Sequence, residues 1–309
     1  MVAASSPPGP PGLPRSIPPP RGSFPPAPPP FIPRPPQVLP PAPYGLAIDG
    51  THAYFTDFFG GRLLKAPLAR GAPEVLLRGL TGPKSVAVSG GCVFWTEQGG
   101  VSALDQHGKR ALATEESSPW RVAVSGEDVY WVDTERGTAK KAAKTGGLVT
   151  TLAVGLDHPQ GLAVDGAFLY FSEWGNHGHI GKIALTGFAT GPAPVVMIAS
   201  EQEGVTSLTS DAENLYWTTM EGRVVMMPKT GGTPQALATR QGNAGCATVD
   251  DQRVYWCNKT EGAIMARDRR TGSVRQVGQS YYGIEAIAHD AARVYLVDTR
   301  THTLVGMAK

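Results

Sequence analysis

A sevenfold repeat constrains this chain more than any other feature of its sequence. An apolar residue, a pair of large side chains and a short polar ending recur at intervals of 36 to 46 residues. The copies are AYFTD at 53–57, VFWTE at 93–97, VYWVD at 129–133, LYFSE at 169–173, LYWTT at 215–219, VYWCN at 254–258 and VYLVD at 294–298. Self-similarity at a nearly fixed spacing is the signature of a repeat architecture.

Each copy follows another short apolar strand and a link of four residues. The links are DGTH, SGGC, SGED, DGAF, DAEN, DDQR and DAAR. Asp or Ser opens every link, and its side-chain oxygen can cap a type I turn by accepting a backbone N–H, so each link predicts a hairpin. A third strand such as GRVVMMPKTGG and a fourth such as PQALAT follow. Four strands in about 40 residues match a propeller blade, so we predict an all-β propeller of seven four-stranded antiparallel blades.

The sequence also predicts how the ring closes. The seventh repeat stops at Lys309, at the end of its third strand, and so lacks an outermost strand. PQVL at 36–39, ahead of the first repeat, copies PQAL at 234–237, which belongs to a fourth strand. We therefore predict that an N-terminal strand completes the last blade, which removes exposed sheet edges and gives a propeller over 35–309.

The first 34 residues have a different composition. Of the 28 prolines, 19 lie within residues 1–43. Proline runs cannot donate ladder hydrogen bonds or build a core, so we predict a disordered, Pro-rich tail over 1–34. A stalk or a ligand for an aromatic-grooved domain is one interpretation of this tail. A plain spacer, or a wrongly assigned start codon, is the simpler one.

Charge and hydropathy exclude two classes of partner. A net charge of +2 in 309 residues, without a basic run, gives no electrostatic basis for binding nucleic acid. No stretch approaches about 18 consecutive apolar residues, so no transmembrane span is predicted. The start, MVAASS, lacks the charged and apolar regions of a signal peptide, and export would need sequence upstream of it.

Two cysteines are predicted to face each other. If the link at 250–253 closes its hairpin like the other six, Cys246 lies directly opposite Cys257, at a separation that a disulfide can span. A disulfide would favour an oxidising compartment. The alternative is that two small residues simply fill space between strands. Cys92 lies in a link, with no evident partner.

The second and third residues of the motif, called here the first ring and the second ring, have a structural explanation. In a strand they face opposite ways, as Tyr130 and Trp131 illustrate, so each blade offers one ring to each neighbouring blade. We interpret both rings as core between blades and not as a stacking platform for sugars or bases.

The repeats resemble known families. They are similar to the YWTD repeats of lipoprotein-receptor propellers, and HPQGLAV at 158–164 with WGNH at 174–177 is similar to NHL-type repeats. The resemblance covers 36–309 and is specific for fold, although the YWTD receptors have six blades and this chain has seven repeats. Such propellers serve as extracellular binding domains, as sensor domains and less often as lyases or lactonases. The resemblance therefore implies an extracytoplasmic or surface-associated protein, which we expect to be a monomer.

The fifth motif position is acidic in five of the seven copies. The residues are Asp57, Glu97, Asp133, Glu173, Thr219, Asn258 and Asp298. In the families that the chain resembles, this carboxylate ties neighbouring loops together through backbone N–H or Lys/Arg contacts. We expect that structural role here, in preference to a ring of metal or substrate ligands.

A ring of chemically mixed residues is predicted at the mouth of the central channel. Alignment of the seven innermost strands places there Tyr44, Lys84, Trp120, Gln160, Thr206, Ala244 and Glu285. Arg121 and Tyr282 extend the rim. A cation, an acid and two aromatic residues around one pore make a candidate ligand site, and free variation of an unused mouth is the alternative.

The loop at 173–179 is a candidate metal site. His177 and His179 alternate in a strand-like segment, so both imidazoles can join Glu173 on one side and hold Zn²⁺ or another divalent ion. Solvated histidines in a loop are the simpler interpretation. No other metal motif and no other cofactor is indicated, and no G-x-S-x-G elbow supports nucleophilic catalysis.

Two functional hypotheses remain. The first is a non-enzymatic binding module that presents loops around the channel to a protein, peptide or glycan partner. The second is a metal-dependent lyase or lactonase-type hydrolase acting on a small cyclic or ester substrate at the mouth, with Glu285, Lys84 and the histidine loop as its available groups. No mouth position carries a histidine, so we favour the first hypothesis and do not expect an enzyme.

Overall fold

The fold is a seven-bladed β-propeller, as predicted. The computed structural model describes residues 37–38, 43–69, 71–174, 178–186, 192–281, 283–298 and 303–309, and the predicted tail over 1–34 lies outside them. Within this described part every regular element is a β-strand, and the strands form seven four-stranded antiparallel sheets. The innermost strands of consecutive blades contact one another in a closed ring around a central channel.

Each blade uses four consecutive strands, except the last. Blades 1 to 3 comprise β2 (Pro43–Ile48), β3 (His52–Asp57), β4 (Arg62–Pro67), β5 (Glu74–Arg78); β6 (Val86–Ser89), β7 (Cys92–Glu97), β8 (Gly99–Asp105), β9 (Gly108–Glu116); β10 (Pro119–Ser125), β11 (Asp128–Asp133), β12 (Thr138–Ala143) and β13 (Thr150–Ala153). Blades 4 to 6 comprise β14 (Pro159–Val164), β15 (Phe168–Glu173), β16 (Ile180–Ala184), β17 (Val195–Ala199); β18 (Val205–Ser210), β19 (Asn214–Thr219), β20 (Val224–Pro228), β21 (Gln235–Ala238); β22 (Ala244–Val249), β23 (Arg253–Asn258), β24 (Ala263–Asp268) and β25 (Val274–Gly278). Blade 7 comprises β26 (Ile284–His289), β27 (Arg293–Asp298), β28 (Thr303–Ala308) and β1 (Gln37–Val38).

The ring closes through the N-terminal strand. Strand β1 pairs antiparallel with β28, with Gln37 opposite Leu304 and Val38 opposite Thr303. It therefore supplies the outermost strand that blade 7 lacks, which confirms the closure predicted from PQVL at 36–39. Since the next strand, β2, begins blade 1, the chain itself joins the first blade to the last.

The hairpin links close as predicted. In the links that open with Asp, one carboxylate oxygen accepts the backbone N–H groups two and three residues ahead, as Asp211 does from Glu213 and Asn214 at 2.8 and 2.7 Å. In four of these five links the other oxygen accepts the first-ring hydroxyl, at 2.8 Å for Tyr216. The same bond joins Asp49 to Tyr54, Asp165 to Tyr170 and Asp290 to Tyr295. One side chain thus closes the turn and fixes the ring beside it.

The two rings form the core between blades, which confirms their predicted role. At every blade interface the first ring of one blade lies in the same buried cluster as the second ring of the next. The pairs are Tyr54 with Trp95, Phe94 with Trp131, Tyr130 with Phe171, Tyr170 with Trp217, Tyr216 with Trp256, Tyr255 with Leu296 and Tyr295 with Phe55. The last pair joins blade 7 to blade 1.

In blades 4 to 6 the position fifteen residues before the second ring, called here the anchor position, matches the chemistry of that ring. In blade 2 it holds Leu80, and the Trp95 indole N–H donates to Glu97 instead, at 3.1 Å. Gln202 occupies it in blade 5 and accepts the indole N–H of Trp217 at 3.0 Å, whereas Leu156 occupies it in blade 4, where the ring is Phe171. In both blades the anchor backbone N–H donates to a loop glycine carbonyl, at 2.9 and 3.0 Å respectively. A buried indole N–H needs an acceptor and a phenyl ring does not, which explains the difference.

Carboxylates at the fifth motif position hold the loops, as expected. Asp133 is fully buried and accepts the backbone N–H groups of Ser117, Ser118 and Arg136 at 2.7, 3.1 and 3.0 Å. Asp57 accepts from the Arg62 guanidinium at 2.7 Å. These bonds join the loop that follows each aromatic strand to the loop that enters the blade. Among the described residues, no helix is long and apolar enough to cross a membrane.

Candidate functional site

The candidate site lies on the entry face, defined here as the face where the innermost strands begin and the loops after the aromatic strands lie. The pairing of the innermost strand is interrupted at Trp120, Gln160, Thr206 and Glu285. Because a β-bulge re-aims a side chain and releases it from the ladder, these residues lie at the rim of the channel. The structure thus brings four of the predicted mouth residues to equivalent places.

One predicted mouth residue is wrong by a single position. Ala244 pairs with Asn258, just as Pro159 pairs with Glu173, so it corresponds to the residue before the mouth position. Gly245 occupies the mouth position of blade 6 instead. Gly245 lies five residues before the Asp that opens the hairpin link, as Gln160 and Thr206 do in their blades, so the alignment of this strand was one residue out of register.

Lys259 fills the gap that Gly245 leaves. A Cβ atom at Gly245 would lie only 2.7 Å from Cε of Lys259, so the lysine stem passes directly over this glycine. Its ammonium reaches the carboxylate of Glu285, with 3.0 Å between Nζ and Oε2. Sequence reasoning missed Lys259, although a glycine in a ring of larger residues indicated that a neighbouring side chain had to enter.

Charged side chains from three blades act on one another and on Tyr44 at the mouth. Burial favours the neutral amine of Lys259, but the carboxylate of Glu285 raises its pKa above the ordinary value. Burial and the same carboxylate raise the pKa of the half-buried Tyr44, against the opposing charges of Arg121 and Lys259. Tyr44 therefore stays protonated and can donate a hydrogen bond to a ligand.

A second group of rim residues surrounds Lys84. Its ammonium lies 4.3 Å from the ring centre of Trp120 and 3.3 Å from Oγ of Ser118. Burial lowers the pKa of Lys84, against the charges of Glu135 and Asp133. A cavity of about 210 Å³ opens beside it, lined by Phe58, Lys84, Pro119 and Glu135 among others. A cation held over an indole at a small cavity suits a ligand that combines polar and apolar groups.

Large apolar side chains are exposed on the loops of the entry face. Phe59 is 83% exposed, Met220 50% and Trp174 40%. Phe58 packs edge-on against Phe59, with ring centres 5.1 Å apart, and its ring centre lies 5.8 Å from that of Tyr44. The loops of blades 1, 4 and 5 therefore carry apolar groups around a polar mouth.

Below the mouth, the channel encloses a cavity of about 340 Å³. All seven innermost strands line it, with Arg121 and Glu285 toward the entry face and His289 toward the opposite one. His289 contacts Thr248 at 2.8 Å, and burial lowers its pKa, so the imidazole is neutral near pH 7. His289 was not among the predicted site residues, because it ends an innermost strand instead of beginning one.

Not every predicted site residue is available to a ligand. The hydroxyl of Thr206 is taken up by Thr218 at 2.8 Å and by the Ala244 carbonyl at 2.7 Å. Gln160 is half-buried at the rim. Tyr282 lies outside the described residues.

The candidate metal site is only partly described. His177 lies outside the described residues. His179 Nδ1 lies 3.1 Å from an oxygen of Glu173, whose other oxygen accepts the Asp157 N–H at 2.9 Å. In the parts of the chain that the structure describes, no three His, Cys, Asp or Glu side chains converge as metal ligands. Glu173 therefore has the loop-holding role of its counterparts, and a metal at this loop stays a prediction.

The cysteine pair is brought together as expected. Cys246 and Cys257 are both buried, and their Sγ atoms lie 2.7 Å apart on adjacent strands. Both are free thiols, as is Cys92. Cys246 also lines the channel cavity, so a small oxidant can reach the pair from that side.

Comparison with solved structures supports the fold. Virginiamycin B lyase from Staphylococcus aureus superposes with a TM-score of 0.75 at 12% identity, over 87% of this chain and 95% of that one. Hydrazine synthase from Kuenenia stuttgartiensis gives 0.72 at 12% identity, over 88% and 97%. Nidogen in a nidogen–laminin complex gives 0.58 at 19% identity, over 73% and 92%.

The repeats form a β-propeller. At these identities the likeness shows the fold alone, and the similar structures include both a lyase and a protein-binding module. No protein-family model matches this chain, and no curated protein matches it in sequence. Its function must therefore be inferred from its own site.

Proposed function

We propose that this protein is a non-enzymatic binding module whose entry face binds a protein or peptide partner. The observation that carries the proposal is the exposure of Phe59, Met220 and Trp174 on loops that surround one polar mouth. Aromatic residues and Met are enriched at protein interfaces, and buried aromatic anchors supply most of their binding energy. The apolar loops provide such anchors, and the charged mouth provides orientation.

The arrangement of charge and ring supports a protein partner. Lys84 lies over the half-buried indole ring of Trp120, and Phe58 and Phe59 extend the apolar surface on a neighbouring blade. Nidogen, one of the similar propellers, has been solved in complex with laminin. A glycan remains an alternative partner, because sugars also stack on aromatic rings. The extracytoplasmic location and the monomeric state stay predictions.

Substitution of the exposed rings tests the proposal. The full chain is screened against peptide and glycan arrays, and each ligand found is titrated against Phe59→Ala and Trp174→Ala. Loss of a buried aromatic anchor is expected to weaken binding by about 2 kcal/mol or more. Leu148→Ala is the matched control, since Leu148 is 86% exposed but lies in the loop between β12 and β13 on the opposite face. Equal binding by all three variants would refute the assignment of the entry face.

A lyase or hydrolase is the weaker alternative. Glu285 and Tyr44 supply a carboxylate and a protonated phenol at the mouth, but Glu285 is already paired with Lys259. The histidine that lines the described channel, His289, lies at the far end of it. A screen of cyclic and ester substrates with Glu285→Gln and Lys84→Ala tests this alternative. Turnover that depends on either residue would replace the binding hypothesis.

A further inference from the structure

One position of the innermost strands is small in six of the seven blades. It follows the mouth position directly and is occupied by Gly45, Ser85, Arg121, Gly161, Ser207, Cys246 and Ala286. Packing explains the small residues, because the innermost strands crowd together around the channel. A Cβ atom at Gly45 would lie 2.3 Å from the Lys84 carbonyl oxygen, and one at Gly161 would lie 2.4 Å from Oγ of Ser172. Arg121, in blade 3, departs from this rule.

No structural partner accounts for Arg121. Its half-buried side chain lines the channel cavity, yet within the described ranges it makes no hydrogen bond or ion pair. Two other partly buried basic residues are paired, Arg62 with Asp57 at 2.6 Å and Lys140 with Glu116 at 2.8 Å. A guanidinium held in a cavity without an acceptor is costly, so a ligand that supplies one would bind favourably.

The surroundings of Arg121 specify the chemistry of that ligand. Arg121 and Glu285 line the same channel cavity, and Lys259 pairs with Glu285 at 3.0 Å. Because Lys259 and Glu285 neutralise each other, the Arg121 guanidinium keeps one positive charge that no described side chain pairs with. The Tyr44 hydroxyl makes no hydrogen bond within the described part of the chain, and it can donate to the same ligand. A group with one negative charge and two acceptor oxygens satisfies both.

We propose that the mouth of the channel is a carboxylate-binding site in which the Arg121 guanidinium receives both carboxylate oxygens and the Tyr44 hydroxyl donates to one of them. Arginine suits this task because its planar fork matches a carboxylate. A phosphate dianion carries one negative charge more than the single Arg121 guanidinium neutralises. A small organic acid and the C-terminus of a peptide carry the same group, so the site exists independently of the apolar partner surface.

Isothermal titration calorimetry on the full chain tests the proposal directly. The probes are acetate, N-acetylphenylalanine, its amide, inorganic phosphate, and one short peptide with either a free or an amidated C-terminus. We expect saturable binding of the free acids and none of the amides. Preference for acetate and N-acetylphenylalanine identifies a small-acid site, and preference for the free-C-terminal peptide identifies a peptide C-terminus. Equal binding of acid and amide, tighter binding of phosphate, or no saturable binding of any carboxylate overturns the proposal.

Two variants with opposite expected effects on carboxylate affinity distinguish a ligand-binding role of Arg121 from a structural one. Arg121→Ser introduces the residue that blades 2 and 5 already carry, and it should weaken carboxylate binding about 10- to 100-fold without lowering the Tm. Glu285→Gln removes a negative charge that repels the carboxylate ligand, and it should tighten carboxylate binding. A lower Tm for Arg121→Ser, or unchanged affinity in both variants, would show that the arginine is structural. Leu148→Ala, on the opposite face, should leave small-acid binding unchanged. A partner ligand that is lost in Phe59→Ala but retained in Arg121→Ser distinguishes failure of this proposal from failure of the proposed partner surface.

Discussion

The interface between blades 4 and 5 offers a quantitative test of how anchor residue and ring are matched. Trp217 is fully buried, and its indole N–H donates to Gln202, which is itself only 6% exposed. Gln202→Leu removes the acceptor and leaves a buried donor without a partner, which costs about 1–3 kcal/mol. Since Leu156 faces Phe171 at the equivalent place in blade 4, the chain itself shows which pair of residues works without the hydrogen bond.

The double variant, Gln202→Leu with Trp217→Phe, should therefore lose less free energy of unfolding than the two single variants together. Trp217→Phe alone creates a cavity and strands the Gln202 carbonyl oxygen, whereas Gln202→Leu with Trp217→Phe keeps only the packing loss. We expect a coupling energy of about 1–2 kcal/mol in the favourable direction. Urea unfolding followed by far-UV circular dichroism measures all four free energies of unfolding.

The reverse exchange in blade 4 is the matched control. Leu156→Gln should destabilise, because the amide would face the phenyl ring of Phe171, and adding Phe171→Trp should recover part of the loss. Strict additivity in both blades would refute the reasoning, since it would mean that the anchor residue and the ring do not interact. A destabilisation below about 0.5 kcal/mol for Gln202→Leu would refute the assumed cost of an unpaired indole N–H.

Three further outcomes are expected. Gly137→Ala should lower the free energy of unfolding in urea by at least about 1 kcal/mol, because its φ is 60° and a Cβ would lie 2.3 Å from the Leu156 carbonyl oxygen. Gly50→Ala is the control, since its φ is 90° and open space surrounds it, so that variant reports the backbone strain alone. Burial, then the hydrogen bond and charge of its link carboxylate, raise the pKa of Tyr54 to about 12. Its contribution to stability is therefore complete below pH ~10 and declines as the pH rises toward 12, measurable as late phenolate absorbance that Tyr54→Phe removes. Treatment with oxidised glutathione should convert Cys246 and Cys257 to a disulfide with release of two reduced glutathione molecules. The protein should lose the mass of two hydrogens, and its free energy of unfolding should rise by about 2–3 kcal/mol. An unchanged mass would contradict this prediction.

The fold was predictable because packing between blades requires the same residue types at the same positions of every repeat. Each blade must offer one large side chain to each neighbour, so Tyr130 and Trp131 recur in kind at every aromatic strand. The link aspartate does two things at once, as Asp211 shows for its turn and for Tyr216. Such locally encoded constraints survive in a single sequence, and they specified the number of blades and the closing strand.

The site was predictable only in part, because it depends on how far side chains reach across the channel. The innermost strands place four of the predicted mouth residues at equivalent ladder positions, but the alignment of blade 6 gave Ala244 where the strand register gives Gly245. Lys259 comes from a loop and enters the mouth only because a glycine leaves room for it. No periodicity reports such a contact, since it joins neighbouring blades through a side chain whose direction the pattern does not encode.

The sevenfold repetition nevertheless allows residues with a structural role to be distinguished from residues with a functional one. Each position exists in seven copies, so a residue that departs from the common type can be compared with its six equivalents. Glu116 stands where blades 5 and 6 carry glutamine at the anchor position, and Lys140 pairs with its carboxylate at 2.8 Å. Gly245 departs from the ring of larger residues, and the Lys259 stem fills the space. Arg121 departs from a ring of small residues without compensation by any described residue, and a broken local rule without structural gain is where function is expected.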